Sequence, residues 1–247
     1  MKLSVVIIAR NAENIIEHAI KSVDFADEII VIDNSSSDKT LEIAKKNKAL
    51  VFSCKTDSFS QLRNYGHEKA KGEWILYIDS DERITDELKK EIISVIKLDL
   101  DIVAYKIKRK NFYLGVHEWP YVETMMRLFL NSKLKKWTGI LHESPVVDGN
   151  VGVLNNFLLH YTHQNLSSML TKTIEWSNYE AKLRFEANHP KMSWWRFPRV
   201  MLSAFLNSYI KQGGWRIGTV GLIESIYQAF SMFITYAKLW ELQDKNE

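Results

Sequence analysis

The sequence predicts an α/β fold on a doubly wound, mostly parallel sheet, followed by an α+β stretch and a helical tail. Strand and helix patterns alternate through roughly the first hundred residues. The strand patterns are continuous apolar runs, as expected of strands covered on both faces. Polar clusters then fall at the carboxyl ends of these strands, where open α/β sheets bind their ligands.

LSVVIIA (3–9) reads as the first strand, and AENIIEHAIKSV (12–23) as a helix with Ile15, Ile16, Ala19, Ile20 and Val23 on one side. EIIVIDN (28–34) is the second strand. SSSDKTLEIAKKN (35–47) opens with cap-type residues, so Ser35, Ser36 and Asp38 are expected to cap a helix. ALVFSC (49–54) is the third strand, FSQLRNYGHEKA (59–70) a helix, EWILYID (73–79) the fourth strand and TDELKKEIISVIK (85–97) a capped helix. After residue 100 the alternation stops. DIVAYKIKRKNFYLG (101–115), ETMMRLFLN (123–131) and KLKKWTGILHESP (133–145) have strand character, and 167–188 has a helical pattern. Residues 193–240 are aromatic and apolar, with breaks expected at Pro198 and at Gly213-Gly214.

A chain of 247 residues suffices for one large α/β domain, alone or with a helical appendage. Its 33 basic and 30 acidic residues give a net charge of +3, too slight to argue for nucleic acid. One cysteine, Cys54, excludes an intramolecular disulfide and a thiolate metal cluster and suits a reducing, cytoplasmic setting. MKLSVVIIARN at the start reads as a strand, not a signal peptide. The apolar run VGLIESIYQAFSMFITYAKLW (220–240) is interrupted by Glu224, Gln228 and Lys238. Leu222, Ile226, Phe230, Phe233 and Tyr236 fall near one face, which favours an amphipathic or packed helix over a span. In WWRFPR (194–199) and KQGGWR (211–216) tryptophan and arginine recur together, as interfacial anchors do. A helix pair packed on the rest of the chain, or on a second copy, is the competing reading.

The polar clusters are Arg10-Asn11, Asp33-Asn34-Ser35-Ser36 and Asp79-Ser80-Asp81. Two carboxylates one residue apart at the end of a buried strand repel unless something neutralises them. A divalent cation with a phosphate would do so, and hard oxygen ligands suit Mg²⁺ or Mn²⁺. The plainer reading of Asp79 and Asp81 is a solvated acidic turn. Asp33 ends the second strand, where a carboxylate can accept from a nucleobase N–H or a ribose hydroxyl. Arg63 is placed to reach a base or phosphate, or is a surface arginine. Of His142-Glu143, the carboxylate is a candidate general base and the pair is equally readable as structural. His160 and His163 are candidates to complete a metal shell. There is no H-E-x-x-H, P-loop or G-x-G-x-x-G.

LSVVIIARNAENI, IIVIDNSSSDKT and QLRNYGHEKAKGEWILYIDSDER, in that order and spacing, resemble the family 2 glycosyltransferases of GT-A fold. RKNFYLG, RLFLNSKLKKWTGILHE and LLHYTH extend the resemblance toward bacterial lipopolysaccharide core β-glucosyltransferases. It implies a nucleotide-sugar-binding half (1–100), an acceptor-binding half of the same domain (101–190) and a helical tail (191–247) that contacts a membrane surface or another copy. It also implies an inverting hexosyltransferase, using UDP-glucose or UDP-galactose, with a glycan or glycolipid of the cell envelope as acceptor. The expected setting is cytoplasmic, peripheral on the inner membrane face. By position, Ala9, Arg10, Asn11, Asp33, Arg63, Asp79, Ser80 and Asp81 would bind the donor. Asp81, with Asp79 and His160, would hold Mg²⁺ or Mn²⁺. The Glu-Asp pair that supplies the base in many relatives is missing from the second half, which leaves Glu143, then Glu123, as candidates. A non-catalytic nucleotide-sugar binder or membrane scaffold is one alternative. A Mg²⁺-dependent phosphotransferase is another, although its D-x-D would be expected after the first strand.

Overall fold

The computed structural model describes residues 1–98, 101–140, 143–162 and 164–245. His142 and His163 lie outside the described residues. Two compact units emerge, one of residues 1–110 and 123–160, the other of 111–122 and 161–247.

In the first unit β1 (Leu3–Ala9), β2 (Glu28–Asp33), β3 (Leu50–Ser53) and β4 (Trp74–Asp79) form a parallel sheet in the order β3-β2-β1-β4. Beyond β4 the sheet turns antiparallel. β7 (His117–Leu130) pairs with β4 with Leu76 opposite Leu128, and β6 (Ile102–Tyr113), β10 (Asn150–Tyr161) and β5 (Glu82–Ile84) follow. β8 (Leu134–Thr138) and β9 (Ser144–Val147) make a separate small sheet.

The apolar runs are continuous because both faces of the sheet are covered. Leu3, Val5 and Ile7 pack with Ile16 and Ile20 of α1 (Ile16–Ser22) and Leu88 and Ile92 of α4 (Asp86–Val95). Val6 and Ile8 face the other way, into a core with Leu62 of α3 (Phe59–Lys69), Tyr77, Phe129 and Trp137. A Cβ at Gly66 would overlap Val6 Cγ1, so α3 lies as close to β1 as glycine allows.

The helices begin where side chains satisfy their first N–H groups. Ser58 caps α3 and Thr85 caps α4, each accepting from an amide three residues on. The 12–23 expectation is trimmed to Ile16–Ser22, since Asn11 has φ +48° and the chain turns through Ala12–Ile15 first. α2 (Thr40–Lys46) also starts late. Ser35, at φ +59°, and Ser36 do not cap it, and Ser36 Oγ accepts from the Asn11 N–H. Asp38 does serve the helix start, accepting from the Thr40 N–H.

Apart from the ends of β6, β7 and β10 that it contains, the second unit is helical: α5 (Leu166–Glu186), α6 (Arg196–Leu206) and α7 (Gly218–Asp244). Asn165 and Ser168 form a capping box on α5. Pro198 does not break the chain. It is the third residue of α6, in a first turn whose N–H groups need no intrahelical acceptor. The break at Gly213-Gly214 is present: a π-turn at Asn207–Lys211 ends the helix and Gly213 takes φ +83°. α7 is long and apolar enough to cross a membrane. Its polar residues nonetheless pack against α5: Lys238 Nζ donates to the Ile174 carbonyl and to Ser177 Oγ, and Tyr227 Oη to the Met169 carbonyl. Tyr236 is buried beside Ala181, Met192 and Leu239, away from the exposed Leu222, Ile226 and Phe230.

Candidate functional site

Sheet register builds the site. Ala9 stands opposite Asp33, and Ile8 opposite Asp79, so three adjacent parallel strands deliver these residues at their carboxyl ends. Asp33 is buried and takes the Ser36 N–H on its carboxylate. Asn11 ties the first loop to the second, its side chain accepting from the Ser37 N–H at 2.9 Å. Arg10 is exposed beside it.

The carboxylates of the Asp79-Ser80-Asp81 turn have different surroundings. Asp79 Oδ1 accepts from Arg63 at 3.0 Å and Oδ2 from Arg127 at 2.7 Å. Burial alone would push the Asp79 carboxyl up, but the Arg127 and Arg63 guanidiniums outweigh it and hold it well below the usual carboxylate range. Asp81 instead meets His160 Nε2 at 3.3 Å. The β5–β10 register brings them together, setting His160 opposite Glu82, the residue after Asp81.

Arg63, on α3, is buried. Its guanidinium lies over the Trp137 ring at 4.9 Å and donates from Nε to Glu143 at 2.8 Å. Glu143 is thus brought to the aspartate cluster through Arg63. Among the described residues, the buried Arg63 Nη1 has no hydrogen-bond partner. Glu123, half-exposed, pairs with Arg109.

Three residues that sequence reasoning missed connect these groups. Glu82 is fully buried, and its Oε1 accepts from Arg109 at 2.9 Å and Arg127 at 3.0 Å, while Oε2 accepts from the Asp79 N–H at 2.9 Å. Burial would lower the pKa values of Arg127 and Arg109, but Asp79 and Glu82 beside Arg127, and Glu82 and Glu123 beside Arg109, raise them, so both stay charged. The result is one alternating chain: Glu143, Arg63, Asp79, Arg127, Glu82, Arg109, Glu123. A signal existed for Arg127, a lone cation in the apolar run MMRLFL. A charge in a covered strand requires a partner.

Among the described residues no three His, Cys, Asp or Glu side chains converge as a closed metal cage. Asp81 and His160 offer one oxygen and one nitrogen face. That donor set fits a cation whose other positions are filled by a ligand's phosphates and water.

A family model described as glycosyl transferase family 2 matches residues 4–146. An uncharacterized glycosyltransferase of Rickettsia typhi is 29% identical, over 99% of this chain and 89% of its own length. The lipopolysaccharide core biosynthesis glycosyltransferase LpsC of Rhizobium meliloti is 24% identical, over 98% of this chain and 93% of its own. Among solved structures, S. aureus TarS is similar in fold, with a TM-score of 0.50 and 16% identity, over 98% of this chain and 55% of that one.

Proposed function

The chain belongs to glycosyl transferase family 2, and from that premise we propose that it is an inverting, metal-dependent hexosyltransferase acting on a cell-envelope glycan. The donor is a uridine diphosphate sugar, glucose or galactose. The acceptor is a glycan or glycolipid such as lipopolysaccharide core, met in the cytoplasm at the inner membrane face. The name of the LpsC relative supports that acceptor class. The observation that carries the reading is the placement of Asp33 and Asp79 at the carboxyl ends of the two strands that flank β1, with Asp81 just beyond Asp79 and His160 on Asp81.

In this reading Asp33 accepts from the base or ribose, and Ala9, Arg10 and Asn11 line the same side. Asp79, held between two guanidiniums, fixes the turn and faces the ribose, with Ser80 beside it. Asp81 and His160 would hold Mg²⁺ or Mn²⁺, which when bound neutralises charge on the departing diphosphate. Arg63 orients Glu143 through Oε1, which leaves Oε2 to take the proton of the acceptor hydroxyl. The acceptor oxygen then attacks the anomeric carbon opposite the diphosphate, so the configuration inverts as the nucleoside diphosphate leaves. Glu123, fixed by Arg109, is the second candidate for the base.

Binding and hydrolysis of UDP-glucose, UDP-galactose and UDP-N-acetylhexosamines, with and without Mn²⁺, test this. One donor is expected to bind and turn over with metal. Asp81→Ala should reduce both by about 100-fold or more, while Glu143→Gln should keep binding and lose turnover. A folded protein that binds no nucleotide sugar would overturn the reading.

A further inference from the structure

In a water-facing helix the outer face is polar and the inner face apolar. α6 departs from this. None of its residues is fully buried, and its outward positions recur at helical spacing through Trp195, Arg199, Leu202 and Leu206, continuing to Ile210 and Lys211 in the π-turn. Leu202 is 58% exposed, Leu206 45% and Ile210 57%. Trp194, just before the helix, is 83% exposed, and Trp215 just beyond the turn is also exposed. The opposite side is used for packing, with Phe197 and Val200 against the core of this unit and Phe197 5.9 Å from Phe233.

The charge along this segment has one sign. Residues 187–223 contain Lys191, Arg196, Arg199, Lys211 and Arg216 and no aspartate or glutamate. Arg196 and Arg199 lie over the Trp195 ring at 5.3 and 6.0 Å, and Arg216 lies over Trp215 at 5.3 Å. Apolar side chains with tryptophans and cations around them match the boundary between acyl chains and anionic headgroups.

We propose that the face formed by Trp194, Trp195, Leu202, Leu206 and Ile210, with Arg199 and Lys211, lies in the surface of an anionic lipid bilayer. It deepens the function proposed above and rests on it only for the purpose of docking, which is to meet a membrane-borne acceptor. α6 lies in the interface, its leucines below the headgroups and its cations among the lipid phosphates.

Flotation of the full chain with phosphatidylcholine vesicles, and with vesicles containing about 30% phosphatidylglycerol, tests it. The wild type is expected to float with the anionic vesicles, less so as salt is raised. Leu202→Ser/Leu206→Ser should bind them at least about tenfold more weakly, and Arg199→Gln/Lys211→Gln about 25-fold more weakly, with little change on phosphatidylcholine. Donor hydrolysis in solution should be the same in both double variants as in wild type. Equal binding to both vesicle types, or variants that bind as wild type does, would overturn the assignment. So would a concentration-dependent dimer abolished by Leu202→Ser/Leu206→Ser without vesicle binding, which would give the face to a second copy. Vesicle binding with the expected pattern in a folded protein that binds no nucleotide sugar would uphold the surface and remove the transferase reading.

Discussion

In the first unit seven side chains of alternating sign run from Glu143 to Glu123, and Glu82 among them is withdrawn from water. In the second, α6 and the Trp195 that precedes it turn two leucines and a tryptophan toward solvent, with cations beside them. The usual distribution of charge and hydrocarbon is inverted in both places. The difference lies in what each inversion needs. Buried charges must be satisfied within the fold, so every member depends on its neighbours. Exposed apolar groups depend on nothing inside the fold and are explained by something outside it.

Substitutions separate the two cases. Arg127→Met removes one of the two guanidiniums on each of Asp79 and Glu82 and should cost about 3–5 kcal/mol. In a chain of this size that lowers the thermal midpoint by roughly 10 °C, readable by circular dichroism. The same network sets an acid limit. The Asp79 carboxyl sits below its ordinary value in the fold, so the unfolded chain takes up that proton first as pH falls. Stability from this group is complete above about pH 4 and is lost progressively below it. Urea midpoints measured between pH 5 and 2 should fall more steeply for wild type than for Asp79→Asn. Gly66→Ala, which drives a methyl into Val6, should cost about 1–3 kcal/mol in chemical denaturation. Leu202→Ser/Leu206→Ser should change stability by less than about 0.5 kcal/mol per site, since neither side chain is buried. A large loss there would mean that α6 supports the fold and would weaken the contrast.

The parallel half was legible because its strands are covered on both faces and carry their polar residues only at the ends, so pattern and position agree. Asp33, Asp79 and Asp81 could be picked out for that reason. Arg109, Arg127 and Glu82 could not, because their pairing depends on β6 and β7 returning beside β4, and no local spacing encodes that register. Two carboxylates close together called for a cation, and sequence supplied only the metal as a candidate. The fold adds two guanidiniums on Asp79 and an imidazole on Asp81. Pro198 was misread because a proline marks a break only in a helix interior, and whether it stands in a first turn depends on where the helix starts.

The turn that presents Asp81 is closed on itself. Glu82 reaches back to the Asp79 N–H, and Arg83 grips the carbonyls of Ser80, Glu82 and, across the unit, Ile15. Backbone freedom at Asp79–Glu82 is therefore surrendered once, when the chain folds, rather than at each encounter with a ligand. On the proposed reading, a donor bound there would meet a preorganised turn, and more of its interaction energy would be left to appear as affinity or to act on the reacting bond.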